Sequence, residues 1–431
     1  LLVGAVLVLI LEANVQERAC AAEVSYSLGY RAEYSDNIRR EAVNPEHDMA
    51  NALQAGVRYQ DRSRSLDLRL APSVEYINYR KNTFNDEARL NLDSALLWTV
   101  SPERFTWTAE DTARQVRLDS TLPETPTNTA TANLFATGPD LYLRAGSANT
   151  LQLGARYGDL YVSDTNLDNQ RGLGYARWLY KTSPLTTWSL NLEEEHVRFD
   201  DQVANTNFRR QDLFLGIHTR SSQATAAIDV GRTRIARDRT EEVEGGLARL
   251  SWNRRLNTEN GIGIVAESSL SDTGSDLAAT AAAANTSGQT TSQNLIAQDI
   301  FRAKRAEVFL NRRGSRFTTD VRAFSRRLEF QIDPTNDRRE RGGELAFGYL
   351  YSAATSIDVS YSHARTTYSN QALIDIDKSA GLSLRRLITR NVSMAFQLQQ
   401  DKRNSTDPSR GFVANIVTFT LLYKSGSFPR R

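Results

Sequence analysis

Residues 181–223 read KTSPLTTWSLNLEEEHVRFDDQVANTNFRRQDLFLGIHTRSSQ, and their order decides the fold. A tight polar reversal at Lys181–Thr186 opens into a segment in which Trp188, Leu190 and Leu192 alternate with Asn191, Glu193 and Glu195. A looser polar stretch, Asp200–Asn207, follows. The next segment sets Leu213, Leu215 and Ile217 against Asp212 and His218, and the chain then reverses tightly at Arg220–Gln223. A period of two marks a strand with one apolar and one polar face. Strands joined alternately by short and long connections make an up-and-down antiparallel sheet.

The same unit recurs from residue 23 to the C-terminus. Tight connections fall near Asp61–Arg64, Ser101–Arg104, Gly146–Asn149, Lys181–Thr186, Arg220–Gln223, Arg255–Thr258, Arg312–Ser315, Ala353–Thr355 and Arg386–Arg390, and most carry turn-forming residues. Long ones fall near Asp36–His47, Arg80–Asn85, Asp119–Ala132, Val162–Asn169, Asp200–Asn207, Ala236–Thr240, Ser271–Gln293, Gln331–Asp337, Ser369–Asp375 and Arg403–Arg410. Nine tight and ten long connections join about twenty strands, each longer than the roughly 9–11 residues a tilted strand needs to cross a bilayer. Boundary errors of a few residues leave eighteen and sixteen open. The expected fold is all-β: a transmembrane antiparallel up-and-down β-barrel in the outer membrane, with long loops outside and tight turns in the periplasm. A soluble sandwich would have to pair all the apolar faces into one core, and open sheets of this size normally curl or split.

Composition agrees. Forty per cent of residues are apolar and 24% charged, with a mean hydropathy of −0.48. A barrel hides its lipid face in alternate residues, so its average resembles that of a soluble protein. Beyond residue 11 no apolar run approaches the length of a spanning helix. A net charge of +2 gives no global field for nucleic acid. Four histidines, two methionines and one cysteine leave little material for metal or redox chemistry, and no cofactor is expected.

The faces follow from parity. Leu66, Leu68, Leu70, Val74 and Tyr76 oppose Asp67, Arg69 and Glu75 in the third strand, and Leu345, Phe347, Tyr349 and Tyr351 oppose Glu340 and Glu344 in the sixteenth. Trp98, Trp178, Trp188 and Trp252 stand beside tight turns, as a periplasmic-side aromatic girdle would, with Trp107 close behind. The inward faces bear both signs. Candidates for lining the lumen are Arg58, Arg69, Glu75, Glu110, Arg144, Arg156, Arg177, Glu193, Glu195, Asp212, Arg322, Glu344 and Asp358. They serve either as solute contacts or as a cross-strand ladder that stiffens the wall. Twenty strands enclose a ring about 40 Å across at the backbone. Two loops, Asp119–Ala132 and Ser271–Gln293, are long enough to fold inward, but their small polar composition favours exposed loops.

No phosphate loop, Cys/His cluster or nucleophile elbow is present, so no enzyme is expected. A barrel hydrolase stays in view because His196, His218 and His363 can each meet a carboxylate on such a wall. Residues 1–21 read as a signal peptide: Leu1–Leu11 is its apolar core, Ala19-Cys20-Ala21 fits its cleavage site, and Cys20 allows a lipoprotein alternative. Residues 22–431 are then the barrel, with no leading domain. The chain ends Phe428-Pro429-Arg430-Arg431, so the terminal aromatic is either Phe428 or Tyr423.

One stretch is more specific. Tyr26-Ser27-Leu28-Gly29-Tyr30 leads to Tyr34-Ser35-Asp36-Asn37-Ile38, then to Val57-Arg58-Tyr59 and Ala71-Pro72-Ser73-Val74-Glu75-Tyr76. Over residues 24–110 this resembles the outer-membrane β-barrel porin family found with exopolysaccharide and exosortase (PEP-C-terminal-anchor, PEP-CTERM) systems, similar to EpsL-type proteins. The resemblance implies an outer-membrane pore that conducts or assembles a secreted exopolysaccharide, and it carries over no catalytic residues. The alternatives are a general or small-solute porin and a barrel hydrolase. The partners expected are the lipid bilayer, the polysaccharide or a small hydrophilic solute, and a separate periplasmic delivery protein.

Overall fold

The computed structural model describes residues 22–119, 121–203, 205–238, 240–277 and 300–425. The signal-peptide reading and the Phe428 alternative lie outside the described residues. Twenty-one extended segments run in chain order: β1 Glu23–Ser35, β2 Asp48–Arg62, β3 Leu66–Leu70, β4 Ser73–Tyr79, β5 Glu87–Ser101, β6 Phe105–Arg117 and β7 Thr129–Ala145. Then come β8 Asn149–Val162, β9 Asn169–Ser183, β10 Thr186–Phe199, β11 Phe208–Arg220, β12 Ala224–Arg237, β13 Thr240–Arg255 and β14 Asn260–Ser271. The last are β15 Phe301–Arg313, β16 Phe317–Phe330, β17 Arg338–Ser352, β18 Thr355–Tyr368, β19 Ile374–Leu387, β20 Val392–Ser405 and β21 Phe412–Lys424.

Segments β3 and β4 are halves of one strand, which makes twenty. Against β2 the register passes from Tyr59↔Leu70 to Gly56↔Ser73 without a slip, and against β5 from Leu70↔Ser94 to Ser73↔Asn91. Pro72 has no N–H to give the ladder, which opens the gap. Its carbonyl still accepts from Val57 N–H at 3.0 Å, and Ala71 N–H still reaches Asp93 O at 3.0 Å.

Each strand pairs antiparallel with its neighbours, and β1 pairs with β21 from Ser27↔Lys424 to Ser35↔Ile416. The sheet is therefore a closed antiparallel barrel of twenty strands. Parity holds around the ring. Leu28 lies opposite Ala55 and Tyr423, and Leu190 lies opposite Leu215 and Trp178, all in one outward band. That band is solvent-accessible in the isolated chain, with Leu28 and Leu215 each 60% exposed. It is the face a bilayer covers. Trp98, Trp107, Trp178 and Trp188 point outward beside the tight turns. Trp107 faces Trp98 directly, so it stands in the girdle and not behind it.

One seam is incomplete. Strands β13 and β14 pair only from Ala248↔Ser268 to Arg255↔Gly261. Above that, β13 continues on β12 to Thr240, and β14 continues on β15 to Ser271. The Arg302 guanidinium donates to Glu244 O at 3.3 Å across the gap. There Leu270 is fully buried with Val197, Phe208, Ile235 and Ile300, and its side chain lies against Gly245, where a Cβ would crowd it. The end of β14 thus leaves the wall and carries the chain inward.

Candidate functional site

All thirteen lumen candidates share the inner face by register. The wall there is a set of ion pairs. Arg69 meets Asp93 at 3.1 Å, Glu75 meets Arg31 at 2.9 Å, Arg156 meets Asp140 at 2.6 Å and Arg177 meets Glu193 at 2.8 Å. Glu195 holds Arg171 at 3.2 Å and Asp212 holds Arg210 at 2.9 Å. Arg322 pairs with Glu344, and Arg144 pairs with Glu103 beside a tight turn. Arg58 and Glu110 are exposed to the lumen and make no ion pair among the described residues, and Asp358 accepts only from Ser356 Oγ at 3.3 Å. Ser360 and Arg385 join Asp358 in a shallow polar recess.

Tyr175 organises one part of this wall. Its ring lies under the guanidiniums of Arg177 at 4.3 Å and Arg156 at 5.4 Å, and its hydroxyl donates to the Asp140 carboxylate. Gln152 donates to the same carboxylate at 2.9 Å. Strand position did not single out Tyr175, because an aromatic on a polar face reads simply as a break in the alternation.

The outer part of the lumen is crossed by chain that composition had placed outside. Asp272 follows β14, and residues 273–277 form one helical turn. The Asp272 carboxylate pairs with Arg171 of β9 and accepts from Ser275 Oγ and Gly274 N–H. Asp276, 2% exposed, pairs with Arg305 of β15 and lies 3.8 Å from Arg326 of β16. Leu277 packs on Val116, Ala130, Ala132, Leu160, Val162 and Leu167, carried by β6, β7 and β8 and the loop after β8. Strands β6–β8 and β15–β16 stand well apart around the ring, so the segment crosses the lumen. The expectation of an exposed loop at Ser271–Gln293 is therefore corrected for 272–277, while 278–299 lie outside the described residues. The physical reason is charge: a short polar segment becomes stable indoors when its carboxylates meet buried guanidiniums. Burial works to raise the Asp272 carboxyl, but the Arg171 guanidinium outweighs it and holds the group below the usual carboxylate range.

The loop after β6 is also ordered inward. The Asn128 amide donates to Asp119 O at 2.8 Å and Pro123 O at 2.9 Å, folding the loop on itself. Thr121 O accepts from Arg403 and Arg410, and Glu124 O accepts from Arg40 at 2.9 Å. This corrects the exposed-loop expectation for Asp119–Ala132, whose last residues belong to β7, which begins at Thr129.

All four buried apolar clusters lie at the long-connection ends of strands. Toward the tight turns the inner wall stays exposed, as at Arg58, Ser360 and Arg385. Among the described residues, the inner wall is therefore exposed toward the tight turns and packed toward the long connections.

Arg171, Arg210, Arg305 and Arg326 went unnamed in the sequence. Parity puts them on the inner face; Arg210 has Asp212 two residues on, but nothing local marks Asp272 and Asp276 as the partners of Arg171, Arg305 and Arg326. Of the three histidines, register puts only His218 inward; His196 faces outward, 2.9 Å from Glu194, and His363 also faces outward. No group of His, Cys, Asp and Glu suited to a metal ion occurs among the described residues.

No protein-family model and no curated protein matches the chain. Among solved structures it is similar to the siderophore receptor PirA of Acinetobacter baumannii, with a TM-score of 0.52 and 8% identity over 94% of this chain and 81% of that one. A mutant of the ferric enterobactin receptor PfeA of Pseudomonas aeruginosa gives 0.50 and 8% over the same shares. The P. aeruginosa protein OccK2 (OpdF) gives 0.41 and 8%, over 94% of this chain and 97% of that one. At such identity the likeness shows the fold. With the closed ring and its apolar belt, it makes the chain an outer-membrane β-barrel.

Proposed function

We propose that the barrel conducts a hydrophilic polymer, a secreted exopolysaccharide, from the tight-turn side outward past the 272–277 segment. The asymmetric lumen carries this reading. The inner wall is polar and exposed toward the tight turns, and among the described residues the 272–277 segment crosses the outer end on ion pairs and the packing of Leu277, not by strand pairing. Such a crossing opens by exchanging protein partners for water or for a passing solute. Sugar hydroxyls suit the lining: they bond to carboxylates and guanidiniums and lie against rings such as Tyr175. A separate periplasmic protein delivers the polymer to the open end. The sequence resemblance to the EpsL-type family supports the same reading.

The packed outer end favours one second reading, a small-solute porin whose inward loops set the bore. Deleting the gene and following both cargoes separates the two. An exporter loses surface polysaccharide while small-solute permeability barely changes. Normal surface polymer with slowed solute uptake overturns the exporter and leaves the porin.

A further inference from the structure

The outward face changes character around the ring. On β1–β9, the outward residues between the apolar belt and the long loops include tyrosines and amides, such as Tyr34, Tyr76, Tyr161, Asn51 and Gln170, together with the acids Asp111 and Asp159 and the cation Arg117. On β10–β13, outward charges of both signs occur and several pair within the protein: Arg209 meets Glu194 at 2.7 Å and Arg234 meets Glu242 at 2.5 Å, while Arg198 and Arg232 make no ion pair among the described residues. On β17–β20 the outward charges are all cationic and face one another. Arg341, His363, Arg365, Lys378 and Lys402 all share the outward parity of Leu345, Tyr361, Leu382 and Leu398.

Register sets like against like. Arg341 lies opposite Arg365, His363 opposite Lys378, and Lys378 opposite Lys402. Directly opposed side chains stand about 4.5–5.5 Å apart at Cβ, and like charges there are destabilising. Arg341, Arg365, Lys378 and Lys402 are exposed and make no ion pair among the described residues. Arg341, Arg365 and Lys402 each lie four residues loopward of the last large apolar side chain on the outward face, Leu345, Tyr361 and Leu398, while Lys378 lies four residues loopward of Leu382 with Ile376 and Ile374 beyond it. Four residues are roughly 13 Å along the strand, at headgroup height in the outer leaflet.

We infer that this arc binds the phosphate groups of a phosphorylated glycolipid in the outer leaflet. The cations supply the counter-charge for several phosphates. The apolar rows on the same strands lie where its acyl chains would run. A soluble acidic polymer would answer the cations alone, whereas a glycolipid meets the cations and the apolar belt below them with one molecule.

The test uses the full chain in a neutral maltoside, titrated with diphosphoryl lipid A, phosphatidylcholine or inorganic phosphate, and compares wild type with an Arg341→Gln, Arg365→Gln, Lys378→Gln, Lys402→Gln variant. Wild type should bind lipid A at least tenfold more tightly than phosphatidylcholine, and the variant should lose that preference. Lipid-free, the variant should melt no lower than wild type, since its substitutions only relieve repulsion. Equal lipid A binding by both proteins overturns the inference. So does inorganic phosphate that competes at concentrations matching the lipid's phosphorus, which would mean an anion site with no lipid specificity. A lower lipid-free melting temperature overturns it too, by showing that the cations serve the wall.

Discussion

Gly274 is where one added methyl does most. A Cβ there would run into the Arg171 guanidinium. That guanidinium cannot simply swing away, because Asn169 accepts from it at 3.0 Å, Glu195 at 3.2 Å, and Asp272 besides. Gly274→Ala should therefore loosen the luminal segment while sparing the barrel. Single-channel conductance in planar bilayers should rise several-fold with the melting temperature nearly unchanged; unchanged conductance would mean the segment does not restrict flow. At this scale the sequence was half legible. Parity put Glu195 and Asp212 on the inner face beside Arg171 on the neighbouring strand and Arg210 on the same one, but the carboxylates of Asp272 and Asp276 meet Arg171 and Arg305 only when distant strands close into a ring. The histidines misled for a related reason: His196 and His363 lie near the loop ends, where outward positions are polar too, so polarity no longer tells inside from outside.

Strands were the most legible elements, because a period of two survives any error in their ends. Pro72 did not mislead, since the alternation of Leu70, Val74 and Tyr76 carries through it. Loops were the least legible. The stretch after Ser271 has no period, and what folds it inward is the end of β14 leaving β13 and the guanidiniums waiting inside. The wall itself can be tested with two charges. Leu215 faces lipid, and Leu215→Arg should cost about 2–4 kcal/mol near the midplane. Glu110 faces the lumen without an ion pair, so Glu110→Arg should change stability by less than about 0.5 kcal/mol, as expected away from special contacts. Urea titration in lipid vesicles measures both, and similar losses would mean the two residues do not occupy opposite faces. Asp212 would be a poor luminal control despite its face, because it is 5% exposed and bound to Arg210.

For the whole molecule, topology follows from which connections are long. Val203, 96% exposed in a long connection, should react as Val203→Cys with an impermeant maleimide on intact cells. Ser222→Cys, in a tight turn, should react only after the outer membrane is opened. The reverse pattern would invert the barrel, and with it the direction of any transport. The joining of β1 to β21 sets a further rule. Tyr26 N–H reaches Ser425 Oγ at 2.7 Å, so the first strand is stitched to the end of the last. A nascent or truncated chain has two raw edges, and each unpaired group facing lipid costs several kcal/mol. The ring cannot mature piece by piece. Changing girth by one strand would bring the first and last strands together running in the same direction, replacing an antiparallel seam with a parallel one. Growth or shrinkage that keeps the seam antiparallel is counted in hairpins.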